Sequence, residues 1–210
     1  MSQQHGPVCR LCRRAGQKLF LKGQRCYSPK CAMERKSYPP GYRGRGSRRY
    51  RVSDYSKQLS EKQKLRRIYG VSEEQFRRYV REAERMPGIS GNNLLQLLER
   101  RLDNVVYRAG LASSRAQARQ MVSHRHFVVD DQVINIPSYL VSVGQRIEAR
   151  DGSKDLQPIE EALAATAGAE SPGWLQVNQK DRVVEVVSLP EPEEIHLDVD
   201  EQLVMEFYSR

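Results

Sequence analysis

All four cysteines of this 210-residue chain lie in its first 31 residues, spaced Cys9-x2-Cys12-x13-Cys26-x4-Cys31. A two-residue spacer lets a tight turn aim two sulfurs at one point, and the longer loop returns the second pair to it. Four thiolates on one ion define a closed, structural metal site with no position left for substrate. Zinc is the default for a tetrahedral four-sulfur set, and a four-iron cluster takes the same four ligands. Such a site carries about two negative charges. Arg10, Arg13, Arg14 and Lys30 stand nearby in sequence to offset them. Disulfides would need an oxidising compartment, and the N-terminus shows no charged-then-apolar signal segment, so the chain reads as cytosolic.

The second chemistry is cationic. Residues 1–60 hold 15 Lys and Arg against two acids, Glu34 and Asp54, a balance of +13. Residues 61–150 hold 16 against ten, and residues 151–210 hold four against 14, or −10, so the chain's +9 conceals a basic body and an acidic end. This asymmetry suits a protein that turns one side to a polyanion. Five of the ten tyrosines also fall in residues 1–60, interleaving aromatic faces with guanidiniums, and RNA offers unstacked bases to the one and phosphates to the other. The stretch 38–53 carries Arg43, Arg45, Arg48, Arg49, Tyr50 and Arg51 among prolines and glycines that forbid a helix. It reads as a basic arm that orders on RNA, with the arginines tracking phosphates and Tyr50 stacking.

The elements that must position these groups follow from periodicity and caps. Ser53 caps a helix that carries Lys62, Lys64, Arg66 and Arg67 and stops at Gly70. Ser72 and Gln75 form a capping box for a second helix, ended by Pro87-Gly88. A third helix is predicted over 92–109, with Leu94, Leu95, Leu98, Leu102, Val105, Val106 and Ala109 facing a core and Arg100, Asp103 and Asn104 opposite. Ser114 and Gln117 open a fourth. Arg115 and Arg119 lie one turn apart on it, able to meet two phosphates, with Ser113 at its N-terminal end. His124, Arg125 and His126 follow as a basic turn. Strands are predicted at Phe127–Val129, Val133–Ile136, Arg146–Ala149, Trp174–Val177 and Val183–Val187, with helices over 156–167 and 200–208.

Nothing here favours catalysis. The chain lacks a phosphate-binding Gly-rich loop, a His-Glu-x-x-His pair and a nucleophile elbow. His124 and His126 suit phosphate or ribose contact, and Asp130-Asp131 suits a turn. No apolar run approaches the roughly 18–20 residues that span a bilayer.

Several stretches resemble one family. Arg101-Leu-Asp-Asn-Val-Val-Tyr-Arg-Ala-Gly110 and its continuation to His124, Val133-Ile-Asn-Ile-Pro-Ser-Tyr139, Glu61-Lys-Gln-Lys-Leu-Arg-Arg-Ile-Tyr-Gly70 and Glu201-Gln-Leu-Val-Met-Glu-Phe-Tyr-Ser209 resemble the bacterial small-subunit ribosomal protein number-four family. Cys26-Tyr-Ser-Pro-Lys-Cys31 is similar to its four-cysteine, metal-bearing branch. The resemblance implies a primary binder of 16S rRNA that nucleates assembly of the 5′ domain. It also implies a place beside small-subunit proteins three and five at the mRNA entry, with influence on decoding accuracy and, in some bacteria, repression of its own operon. Two positions depart from the family's pattern. Arg125 stands where glycine is common and adds charge where RNA is expected. Asp130-Asp131 replaces Asn-Gly, which weakens the case for a tight hairpin turn with positive φ.

The expectation is therefore an α+β, non-catalytic ribosomal component. It comprises a four-cysteine metal knuckle over 1–37, a basic arm over 38–53, a helical domain over 54–98 onto which helix 200–208 packs, and an RNA-binding module of helical hairpin and strands over 99–199.

Overall fold

The computed structural model describes residues 6–41, 53–166 and 171–209. Residues 42–52, which hold all six side chains assigned to the basic arm, lie outside them. The chain divides into two compact units, one of residues 1–91 with 197–210 and one of residues 92–196.

The first unit is helical. Helix α1 (Cys9–Ala15) and the single turn α2 (Ala32–Arg35) carry the cysteine loops. Helix α3 (Asp54–Ile68) begins where Ser53 Oγ accepts the Ser56 N–H at 3.3 Å, and α4 (Glu73–Arg85) where Ser72 Oγ accepts that of Gln75 at 3.3 Å. Each cap satisfies a donor that no helical carbonyl can reach. Leu65, Ile68, Tyr69, Val71, Phe76, Val80 and Ala83 form the core.

The C-terminal helix of this unit (Glu201–Tyr208, α9 below) closes over α3. Its N-terminus is capped by Asp200, which accepts from the N–H groups of Gln202 and Leu203. Gln58 donates to Glu206 at 2.9 Å, and the Asp200 N–H donates to Glu61 at 3.2 Å. The Tyr208 hydroxyl donates to Glu73 at 2.7 Å. Glu73 also pairs with Lys62 at 2.9 Å and Arg66 at 3.1 Å.

In the second unit, helices α5 (Ser90–Glu99, whose first two residues belong to the other unit), α6 (Leu102–Arg108) and α7 (Arg115–Ser123) precede a five-stranded antiparallel sheet. The strands are β1 (Phe127–Val129), β2 (Gln132–Val133), β3 (Arg146–Ala149), β4 (Leu175–Asn178) and β5 (Val183–Val186), in the order β2-β1-β3-β5-β4. Helix α8 (Gln157–Thr166) connects β3 to β4. One core joins the helices to the sheet through Leu102, Val105, Val106, Leu111, Ala118, Val122, Phe127, Ile147, Ile159, Trp174 and Val184. Gly110 ends α6 at φ 76°, and a Cβ there would meet Thr166 Oγ1 at 2.6 Å, so both backbone and packing select glycine.

Four local expectations are corrected. The helix predicted over 92–109 is two helices, because Arg101 adopts extended backbone and bridges to Leu140. The Leu102 N–H then donates to the Tyr139 carbonyl at 2.8 Å. An apolar stripe runs unbroken through this break, so periodicity could not reveal it. Asp103 and Asn104, expected opposite the core, are buried. The second strand is Gln132–Val133 rather than Val133–Ile136. Asp130 (φ 47°) and Asp131 (φ 65°) form the two-residue, positive-φ turn whose case the absence of Asn-Gly weakened. The Asp130 carboxylate fixes that turn by accepting the Arg146 N–H and the Gln145 amide, each at 2.9 Å.

Burial alone would raise the Glu73 carboxyl. The hydrogen bonds from Lys62 and Tyr208 and the charges of Lys62 and Arg66 outweigh it and hold the group below its ordinary value. A depressed carboxylate contributes stability above its unfolded pKa and loses it as pH falls through the folded value. Glu73→Gln should therefore lower stability near neutral pH by about 1–2 kcal/mol, less than for a fully buried pair because Glu73 is partly exposed. The wild-type advantage should vanish in acid, measured as denaturation midpoints from pH 7 to pH 3.

Candidate nucleic-acid interface

The break between α5 and α6 gathers charge in the interior. Arg101 is fully buried and makes a two-pronged ion pair with Asp103, Nε to Oδ1 at 3.0 Å and a terminal nitrogen to Oδ2 at 2.7 Å. Glu99, equally buried, receives Arg108 in the same way at 2.9 and 2.7 Å. Asn104 links the pairs by donating to Glu99 Oε2 at 2.7 Å and accepting Arg115 Nε at 2.7 Å. Arg119 lies 3.7 Å from Asp103, and Arg115 lies 4.0 Å from Glu99. Four guanidiniums thus meet two carboxylates.

This geometry sharpens the roles of Arg115 and Arg119. Their α7 spacing brings them together as expected, yet both reach inward, and Arg115 also covers the Tyr107 ring at 4.5 Å. Ser114 caps α7 through the Gln117 N–H. Ser113 does not offer free groups, since its N–H and hydroxyl both go to Gln117 Oε1 at 2.6 and 2.7 Å.

The turn after α7 faces solvent. His124 ends the helix, and Arg125 is exposed at φ 65°, a left-handed position that a non-glycine residue holds at a cost of about 1–2 kcal/mol. His126 is oriented by Ser153 Oγ, 2.9 Å from Nδ1. Burial, with the neighbouring His124, pushes its pKa down, so its imidazole is neutral near pH 7 and suits hydrogen bonding rather than charge.

In the helical unit, the four cations expected on α3 differ in placement. Lys62 points inward, 5% exposed, between Glu73 and the Phe207 ring 4.4 Å away. Lys64 pairs with Glu61 at 2.7 Å. Arg66 and Arg67 are half-buried, and the Nε atom of each is buried without a hydrogen-bond partner. Burial and then the charges of Arg66 and Arg14 push the Arg67 guanidinium down.

All four cysteines are free thiols, and all four line one small cavity of about 20 Å³, room for a single atom-sized occupant. Cys26 Sγ accepts the Lys22 N–H at 3.3 Å, and Cys12 accepts a backbone hydrogen bond from Leu19. Burial raises both thiols, and neighbouring sulfurs push the same way. Among the described residues, no three His, Cys, Asp or Glu side chains already form a metal-ligand group. The fit to a metal rests on the shared cavity, the reduced sulfurs and the donor type.

Sequence reasoning missed Glu99, Arg101, Asp103, Asn104 and Arg108 as a buried network. The available signal was the density of paired charges inside an otherwise apolar repeat. Arg13 was also assigned only to charge balance. It donates to the Tyr38 carbonyl at 2.9 Å and covers the Tyr38 ring at 4.8 Å, tying the root of the basic stretch to α1.

A helical hairpin held on a charged interior, with a basic turn leading into an antiparallel sheet, defines a nucleic-acid-binding module. Residues 3–99 match the family model of the ribosomal protein S4/S9 N-terminal domain, and residues 100–147 match that of the S4 domain. The chain is 54% identical to the small ribosomal subunit protein uS4 of Pelotomaculum thermopropionicum and 52% identical to that of Halothermothrix orenii, over the full length of each. It is 54% identical to that of Syntrophomonas wolfei over 97% of both chains. The chain belongs to the uS4 family of small ribosomal subunit proteins, a non-catalytic family. Among the described residues, no helix is long and apolar enough to cross a membrane.

Asp103→Ala would leave the fully buried Arg101 without its carboxylate. It should destabilise the second unit by about 3–5 kcal/mol, the cost of breaking one side of a buried pair. Chemical denaturation of the full chain, followed by Trp174 fluorescence in that unit, reads the loss.

Proposed function

We propose that this chain is a primary 16S rRNA-binding protein of the small ribosomal subunit that nucleates folding of the 5′ domain. The observation that carries this reading is the basic α6–α7 surface. Its interior network contains two more guanidiniums than carboxylates, so the field outside it favours phosphate. His124, Arg125 and His126 supply the solvent-facing contacts, with Arg119 and Arg115 contributing from the network's edge. On α3, the half-buried guanidiniums of Arg66 and Arg67 add positive charge to the helical unit. Lys62 acts through positioning Glu73 and α9, and Lys64 adds charge beside its pair with Glu61. Arg43, Arg45, Arg48, Arg49, Tyr50 and Arg51 extend the contact along the rRNA backbone. Ser113 supports this surface by orienting Gln117.

A position beside small-subunit proteins three and five at the mRNA entry, with an effect on decoding accuracy, follows from the family. So does a cytoplasmic, ribosome-bound location with no membrane partner. The acidic residues 151–210 suit the side turned away from RNA. Cys9, Cys12, Cys26 and Cys31 would hold one structural zinc ion, which when bound supplies cross-links in place of a large core.

Salt-titrated binding of the full chain to 16S rRNA, tRNA and a DNA duplex tests the reading. Affinity for 16S rRNA should exceed the other two and fall about 10³–10⁵-fold from 50 to 200 mM salt if six to ten phosphates are neutralised. Equal affinity for all three would contradict it. In the same assay Arg125→Gly should weaken rRNA binding while raising stability by about 1 kcal/mol, because glycine relieves the left-handed strain. Anaerobically purified protein should contain about one zinc per chain and be colourless. A stoichiometric brown chromophore would indicate a four-iron cluster instead.

A further inference from the structure

Phe20 and Tyr27 are large aromatic residues left on the surface, 37% and 70% exposed. Their ring centroids are 5.2 Å apart with planes inclined by 30°, so the two form one aromatic surface outside the cysteine loops. Its placement is fixed from both sides. Phe20 sits at φ 50°, a left-handed conformation disfavoured for an aromatic residue. The preceding Leu19 is buried and bonded to Cys12, and Lys22 donates its N–H to Cys26 two residues after Phe20. Tyr27 directly follows Cys26. The backbone that turns Phe20 outward is thus anchored to the same sulfurs that position Tyr27.

The electrostatic setting indicates what covers these rings. Residues 6–41 contain nine Lys and Arg and a single acid, Glu34, which is itself paired with Lys18 at 2.6 Å. Lys22, Arg25 and Lys30 are all exposed. Tyr27 also walls an open recess of about 390 Å³ shared with Ser28, Pro29, Glu34 and Arg35, large enough for a base. An apolar surface in a field this positive suits a ligand that offers a π-face and negative charge together, as a nucleotide does.

We propose that Phe20 and Tyr27 form a stacking platform for an unpaired nucleobase of the bound RNA. The proposal rests on the rRNA reading above and adds base stacking to phosphate contact. Cations around the rings hold the flanking phosphates, and the cysteine loops preorganise the rings so that little side-chain freedom is lost on binding.

The test uses the full chain, metal-loaded as purified, with a 16S rRNA 5′-domain transcript. Tyr27→Leu should lower affinity about 5- to 100-fold, the loss expected for one stacked base, and Phe20→Leu should lower it in the same direction. Tyr27→Phe should bind like the wild type, since it keeps the face and loses only the hydroxyl. The slope of log affinity against log salt should stay unchanged in all three, because no phosphate contact is removed. Transcript substituted with 5-iodouridine should cross-link to Tyr27. Unchanged affinity in Tyr27→Leu would overturn the proposal and leave the surface to a protein neighbour. Loss of metal by the leucine variants would also overturn it, making the rings a cover for the cysteine loops. Failure of the wild type to prefer 16S rRNA would remove the underlying reading, and this is measured before any variant.

Discussion

Everything the second unit presents to a partner depends on a charged cluster in its interior. Glu99 and Asp103 are buried, and each receives a two-pronged guanidinium, from Arg108 and Arg101. Desolvating such charges is expensive, and the hydrogen-bond geometry must recover that expense. It does so only if the chain breaks helix at Arg101, so that one side chain meets Asp103 while its backbone meets Leu140. The kink sets the direction of α6, and Arg115 and Arg119 then draw α7 to the same acids. The helical hairpin is therefore defined by an ion network as much as by the leucine and valine core beneath it.

This arrangement joins stability to recognition. A cluster with two carboxylates and four guanidiniums cannot neutralise itself, and the excess lies on its α7 side. A phosphate bound there, as proposed above, would complete the balance. The turn after α7 carries the same logic into solvent, where Arg125 occupies strained backbone that glycine would hold freely. The strained backbone there leaves a charged side chain exposed directly after α7. The helical unit repeats the pattern on a smaller scale, with Glu73 serving Lys62, Arg66 and Tyr208 together.

Much of this architecture was legible in the residues. Ser53, Ser72 and Ser114 begin α3, α4 and α7 because a side-chain oxygen at the cap is a local interaction. The α+β class followed from helical periods giving way to short alternating strands. Features set by tertiary contacts were not legible. The apolar stripe predicts one helix through residues 99–102, and only the pairing with Leu140 breaks it. Asp103, Asn104 and Lys62 look like solvent-facing polar residues until their partners arrive from α7, α4 and α9. Asp130-Asp131 turns tightly although neither residue favours positive φ, because Asp130 receives Gln145 and Arg146 from the strand opposite. The cysteine spacing predicts converging sulfurs, since short spacers constrain where they can point, and all four cysteines line one cavity.

The central claim is that basic groups in each unit meet RNA while the β4–β5 hairpin, which carries as many acids as bases, does not. Photochemical cross-linking of the full chain to 16S rRNA, with adducts located by mass spectrometry, tests it most directly. The account predicts adducts in residues 6–41, at Arg66–Arg67 and across Arg115–His126, and none in β4 or β5. Adducts concentrated on β4 and β5, with Arg115–His126 unmodified, would contradict it.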